Sequence, residues 1–331
     1  MTGEWTEEKE KAILKRYRNT LTKKILQVVF ALLILYMVYV LALNIAYDST
    51  SKGDKLIAYT QLSLDWLYPG INSGTSPGFV RAEISPLMSQ SVAIPFLRQI
   101  GGNEIEVGEL QVEKPLFARP RIRHDIYTNM KPEFRFYLPV HPETNQTLSA
   151  NQPHGVWETL DKVHEGTVAD LAISTTAYMS PEDLIQLLED LDIAISWMAL
   201  YMGEFENFPV SWTGSGNSVS LINPWGLTHG STYDDEYFRA IRVTRLSSHN
   251  IDEIKQMMLD NMRRLYQDDP KLAEAMFGPN FKERLLFLEE EGFVVYGAVV
   301  TGPTKELLRL RELEEIQGVH LGEVQLWNWT E

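Results

Sequence analysis

Hydrophobic positions along this chain form three patterns: one long unbroken run, short alternating stretches, and helical stripes between turn residues. The unbroken run, ILQVVFALLILYMVYVLALNIAY from Ile25 to Tyr47, holds 23 residues and no charge. At ~1.5 Å per residue it covers roughly 34 Å, enough for a ~30 Å hydrocarbon core. It predicts one transmembrane helix, because only Gln27 and Asn44 interrupt it and no polar stripe marks it as a core helix. Leu56, Tyr59, Leu62, Leu64 and Leu67 predict a short helix leaving the membrane, ended by Pro69 and a Gly/Ser-rich stretch to Gly78. EFRFYLPV alternates, with Phe134, Phe136, Leu138 and Val140 on one face, and predicts a strand. EIEVGELQV alternates in two phases that switch at Gly108, as a bulge would make them. Residues 141–166 are polar and predict no element, so a boundary is placed there.

The second half is better punctuated. ADLAISTT reads as a strand. Ser180-Pro181-Glu182-Asp183 then supplies a cap, a proline for the first helical position and two acids for the first turn. Leu184, Leu187, Leu188 and Leu191 form that helix's stripe, and IAISWMALYM (193–202) is the next strand. Residues 203–236 read as a long loop, and YFRAIRVTRL (237–246) as a strand. Asn250…Glu253 and Asn280…Glu283 have the spacing of capping boxes at two helix starts, with a short helix from Asp269-Pro270 between them. The run FVVYGAVVT (293–301) suits a strand buried on both faces. A helix from Pro303 to about Arg311 and the strand GEVQLWNW (322–329) close the chain. Two β-α-β units around one sheet predict an α+β domain: a mixed sheet with helices over one face, preceded by the transmembrane helix.

Charge orients the chain. Its net charge is −15, yet residues 1–24 hold seven Lys/Arg against four Glu, a net of +3, so the remainder carries −18. The basic flank stays in the cytoplasm, which leaves the C-terminal domain outside. So acidic a domain is unsuited to nucleic acid. The run is too long for a cleaved signal sequence, and no small-x-small site follows it. The absence of cysteine excludes disulfides and thiol chemistry, and favours a bacterial surface protein over a eukaryotic secreted one.

Catalytic chemistry is hard to assemble. The seven histidines never fall at i,i+3 or i,i+4, so no helical metal pair exists. Gly214-Ser215-Gly216 lacks the spacing of a nucleophile elbow. TGPTK (301–305) sits where a strand feeds a helix, a place that could hold an anion, but the simpler reading is a βα turn in which Gly302 makes the bend and Pro303 starts the helix. The acids 234–236 and 289–291 lack calcium-loop spacing. Trp197, Trp212, Trp225, Trp327 and Trp329 suit either a ligand groove or a core. No catalytic residue, cofactor or metal is expected. In the arm, Leu14, Tyr17 and Leu21 lie on one side of a helix with Lys11, Lys15 and Arg18 around them. That face suits a partner protein or anionic lipid.

KKILQVVFALLILYMVYV followed by LIAYTQLSLDWLYPGI resembles the membrane-anchor region of bacterial sigma-factor regulators. EGTVADLAISTTAYMSPEDLIQLL, ISWMALYMGEF, FVVYGAVVTGPTKELLRL and VHLGEVQLWNW resemble the C-terminal domain of the same family. The resemblance runs from about residue 20 to the end. It implies a transmembrane anti-sigma factor that binds an extracytoplasmic-function sigma factor and releases it under envelope stress, without catalytic residues. The expected layout is a cytoplasmic arm (1–24), a transmembrane helix (25–47), a membrane-proximal β-rich region (48–160) and an α+β sigma-regulator-like domain (161–331). Leu14, Tyr17 and Leu21 are the candidate partner-binding residues. An arm of barely one helix leaves open a second reading, an extracytoplasmic sensor or accessory subunit of a membrane complex that binds no sigma factor.

Overall fold

The computed structural model describes residues 7–74, 80–127, 134–150, 155–214, 217–243 and 245–329. Helix α1 (Glu7–Asp48) contains residues 7–24 of the basic arm and the apolar run in one piece, 42 residues long. It has no Pro or Gly to kink it and spans about 63 Å at ~1.5 Å per residue. Its length and composition suffice to cross a bilayer. Three residues separate it from α2 (Lys52–Leu67), the helix expected after the membrane.

Two five-stranded sheets form among the described residues. The first contains β1 (Ile71–Asn72), β2 (Glu83–Ile84), β3 (Gln90–Ile100), β4 (Asn103–Lys114) and β5 (Arg121–Ile126), in the order β1-β3-β4-β5 with β2 also on β3. The bulge read at Gly108 is real. Phe96 faces Gly108 while Leu97 faces Glu106, so Val107 is the extra residue. EFRFYLPV differs from expectation: its described part is extended but makes only isolated bridges, Tyr137 to Ser220 and Val140 to Thr147. Its alternation still buries Phe134, Phe136 and Leu138, and Leu138 donates its amide to Val219. A core contact, not a ladder, sets that period.

After α3 (Val156–Lys162), which lies in the stretch expected to hold no element, come β6 (Thr167–Met179), α4 (Pro181–Leu188) and β7 (Ala194–Tyr201). Ser180 caps α4 in a full capping box with Asp183, and Pro181 occupies the first turn. The supposed long loop contains β8 (Trp212–Thr213), β9 (Ser220–Leu221), β10 (Trp225–Leu227) and β11 (Gly230–Tyr233), followed by β12 (Arg239–Val243). Helices α5 (Ile251–Asp268), α6 (Pro270–Phe277) and α7 (Phe281–Glu290) start where expected. Two of the proposed caps do not form. Asn250 turns back to accept from the Ser247 amide, and Asn280 has a left-handed backbone with no side-chain cap. Asp269 does cap α6, accepting from the Leu272 amide at 3.0 Å.

Then β13 (Val294–Pro303), α8 (Thr304–Arg309) and β14 (Ile316–Leu326) complete the second sheet, ordered β10-β7-β13-β6-β14. Among the described residues every pairing in it is antiparallel, which corrects the mixed sheet expected from the two β-α-β units. Each unit is split: β13 lies between β6 and β7, and β6 lies between β13 and β14. Interleaved this way, β6-α4-β7 and β13-α8-β14 make the split β-α-β arrangement of ferredoxin-like folds. A strand inserted from the other unit supplies the antiparallel neighbours.

One hydrophobic core joins the two halves. It takes in Leu56, Tyr59 and Trp66 of α2, Ile94 and Phe96 of β3, and Trp197, Tyr296 and Val299 of the second sheet. Glycine is required at position 226, where an added Cβ would sit 1.9 Å from the fully buried Trp197 ring. Gly226→Ala should therefore cost about 1–3 kcal/mol by overpacking, read as a lower denaturation midpoint with an unchanged slope.

Candidate functional site

The arm presents its expected face to solvent. Leu14, Tyr17 and Leu21 are 59%, 68% and 47% exposed, and neighbouring Ile13 is 53% exposed. Offsets of three and seven residues bring the three onto one stripe of α1. Glu7, Glu8 and Glu10 lie in the first turn, where the helix dipole favours acids. Trp5, in the same arm, lies outside the described residues.

At its other end α1 is firmly joined to the folded domain. Ser51 takes a left-handed backbone between the helices, and Tyr47 is buried beside Gly53. Helix α2 then enters the core. Tyr59 Oη donates to the Leu265 carbonyl at 2.6 Å, Trp66 stacks on Trp225, and Trp197 Nε1 donates to the Asp65 carbonyl. Sequence reasoning treated the membrane helix and the domain separately. The structure couples them through a three-residue joint.

A charged cluster lies at the buried end of α2. Asp65 Oδ2 is 2.8 Å from Arg239 Nη2 and 3.4 Å from His229 Nε2, while Asp65 Oδ1 accepts from the Ser73 amide at 2.7 Å. Arg239 also donates to Ser73 Oγ and Ser231 Oγ. Burial alone would raise the Asp65 carboxyl, but Arg239, His229 and the Ser73 amide outweigh it and hold the group at about 2. This depressed value gives a sign. The stabilisation is complete above the ordinary carboxylate value, 3.8, and is lost as pH falls through about 2. Unfolding free energy should drop by about 2 kcal/mol from this group between pH 4 and pH 2, an effect that Asp65→Asn should remove from the acid titration. One signal was available in the sequence: Asp65 interrupts the apolar stretch LSLDWL.

Two further buried pairs hold the domain. Arg98 of β3 bonds Asp170 of β6 at 2.6 Å and ties the two sheets together. Glu204 pairs with Arg284 of α7, whose guanidinium also lies over Phe208 and Trp225.

The remaining chemical candidates are otherwise engaged. Among the described residues no group of three His, Asp or Glu side chains could hold a metal ion. Ser215 and Gly216 lie outside the described residues. In TGPTK, Thr301 Oγ1 accepts from the Gly101 amide, and Thr304 Oγ1 bonds Thr167 Oγ1, so the turn locks strands and helix together. Asp234 Oδ1 accepts from the amides of Glu236 and Phe238, and Glu289 pairs with Arg263. Trp197 and Trp225 are core residues, and Trp329 Nε1 donates to Asp192. Trp212 and Trp327 are about half exposed, so the tryptophans form no common groove.

An exposed apolar stripe flanked by basic residues and a long apolar run thus lie on one unbroken helix, joined by a short turn to a folded domain. The chain belongs to the sigma factor regulator family. Residues 160–323 match the model described as sigma factor regulator C-terminal, and residues 11–105 match sigma factor regulator N-terminal. The N-terminal match holds the arm stripe, the apolar run, α2 and all of β3 in one unit. The chain is similar to the probable anti-sigma-M factor YhdL of Bacillus subtilis (strain 168), at 23% identity over 342 residues, covering 97% of this chain and 84% of the relative. No solved structure matches it.

Proposed function

We propose that this protein is a single-pass membrane anti-sigma factor. Its N-terminal arm faces the cytoplasm and holds an extracytoplasmic-function sigma factor. Its C-terminal domain lies outside and responds to envelope signals, without catalysis. Family membership and the anti-sigma relative support the partner class, and the basic flank supports the orientation.

The observation that carries the binding role is the exposed stripe of Leu14, Tyr17 and Leu21 on an unbroken α1. A helix lying flat on lipid would need a bend at the membrane surface. No Pro or Gly is present to make one between Glu7 and Asp48. The arm therefore projects from Lys24 toward Glu7 for about 26 Å, at ~1.5 Å per residue, as an amphipathic helix presented to a groove. Crosslinking the full-length protein in native membranes, then identifying the captured chains, tests this. Capture of a sigma factor through residues 14–21 is the expected result. Crosslinks at these positions that never contain a sigma factor would sink it.

A further inference from the structure

We propose that two loop tips of the first sheet form a second membrane contact, inserting into the leaflet on the domain's side of the bilayer, next to α1. The proposal rests on the reading of α1 as a membrane span.

Its first support is a level. Tyr39 Oη donates to the Pro86 carbonyl at 2.8 Å. Along the same side of α1, Val40, Leu43 and Asn44 are partly covered and Tyr47 is buried. The domain therefore packs along α1 down to Tyr39. A ~30 Å hydrocarbon core starting at Ile25 needs about 20 residues of helix and ends near Asn44. Tyr39 is five residues short of that point, roughly 7 Å inside. The hairpin that touches Tyr39 must then dip into the bilayer by an amount typical of interfacial insertion, ~5–10 Å.

The second support is what the tips carry. The turn from Ser85 to Ser89 is pinned by the Met88 amide on the Ser85 carbonyl, the Ser85 amide on the Ser89 carbonyl and the Ser89 amide on Ser85 Oγ. This fixed turn holds Leu87 outward at 87% exposure. The adjacent tip, between β4 and β5, exposes Leu116 at 53% and Phe117 at 96%. The two tips leave the same end of the sheet, because Gln90 pairs with Lys114 and Ser89 Oγ donates to Glu113. Lys114 in turn pairs with Asp269, whose neighbour Asp268 receives Lys55 from the first turn of α2. That end of the sheet is thus the membrane end. Exposed apolar side chains at loop tips are costly in water and natural in lipid. Arg119, exposed just behind Phe117, is placed for a lipid phosphate, while Arg121 pairs with Glu113.

The cysteine-free sequence permits a clean test. Leu87→Cys, Phe117→Cys, Leu33→Cys and Asn103→Cys are made singly in the full-length chain, spin-labelled and reconstituted into phosphatidylcholine–phosphatidylglycerol vesicles. Collision with oxygen and with a water-soluble nickel complex is then measured for each label. Leu33 reports the span, and Asn103 reports the opposite end of the sheet. The expected result is a shift of labels 87 and 117 from the aqueous ratio of Asn103 toward the lipid ratio of Leu33. Labels 87 and 117 at the aqueous value, with Leu33 in lipid, overturn the second contact and leave the span intact. Leu33 at the aqueous value overturns the span itself and the proposal with it. Pure lipid contains no protein partner, so a shift here assigns the tips to lipid.

Discussion

Asp65→Ala is expected to destabilise the folded domain by about 3–5 kcal/mol, the usual cost of removing one partner from a buried ion pair. The carboxylate is 2% exposed and faces Arg239 and His229. Without it the guanidinium keeps only hydroxyl partners and His229 in a dry site. At about 2–4 °C per kcal/mol, the melting temperature of the detergent-solubilised protein should fall by on the order of 10 °C. Replacing both Asp65 and Arg239 with apolar residues of similar volume should recover part of the loss, because a whole pair exchanged for packing is often neutral. A single variant as stable as wild type would show that the cluster holds nothing together. Asp65 lies on α2, whose Trp66 stacks on Trp225, so the variant should also loosen α2 and with it the base of α1. Amide hydrogen exchange across 52–67 reads that loosening directly.

The second large effect concerns the arm. Leu14→Glu, Tyr17→Glu and Leu21→Glu together should abolish sigma-factor retention. Transcription from promoters of the retained sigma factor should then rise to the level of a gene deletion. Central apolar and aromatic anchors dominate such interfaces, at about 2–4 kcal/mol or more each, so three charged replacements exceed what a helix-in-groove contact can absorb. Membrane insertion should persist, since Ile25–Tyr47 is untouched. Unchanged sigma-dependent transcription, with the variant present in the membrane at wild-type level, would remove the arm from the mechanism.

Elements were legible in the sequence where local pattern and local chemistry agree. The apolar run, the Ser180 cap and the Asp269-Pro270 start need no information from elsewhere in the chain. Strand β3 was not singled out, because Pro95 interrupts an otherwise alternating QSVAIPFLRQI. In the structure β2 pairs with Gln90 and Ser91, and β1 pairs with Leu97 and Arg98. Pro95 falls in the gap between them, where a missing N–H costs nothing. The sheet order was hidden for a different reason. No feature of β6-α4-β7 announces that β13, some ninety residues later, will insert between its strands. Residues 203–236 read as loop because their strands are two to four residues long, below what periodicity can register. The Asp65 cluster joins positions more than 160 residues apart. Only the odd carboxylate in an apolar stripe pointed to it. The arm stripe was legible because helical spacing alone defines it.

The short joint between α1 and α2 ties the heading of the arm to the domain. An α-helix turns about 100° per residue, and α1 is one helix from the arm to Asp48. The compass direction of the Leu14 stripe is thus set by how α2 sits in the domain. One residue inserted into the apolar run would swing the stripe by about 100°, whereas seven would return it to within roughly 20°. A change in how the domain seats the base of α1 would reach the Leu14 stripe as a change of heading, with no need to move the arm up or down.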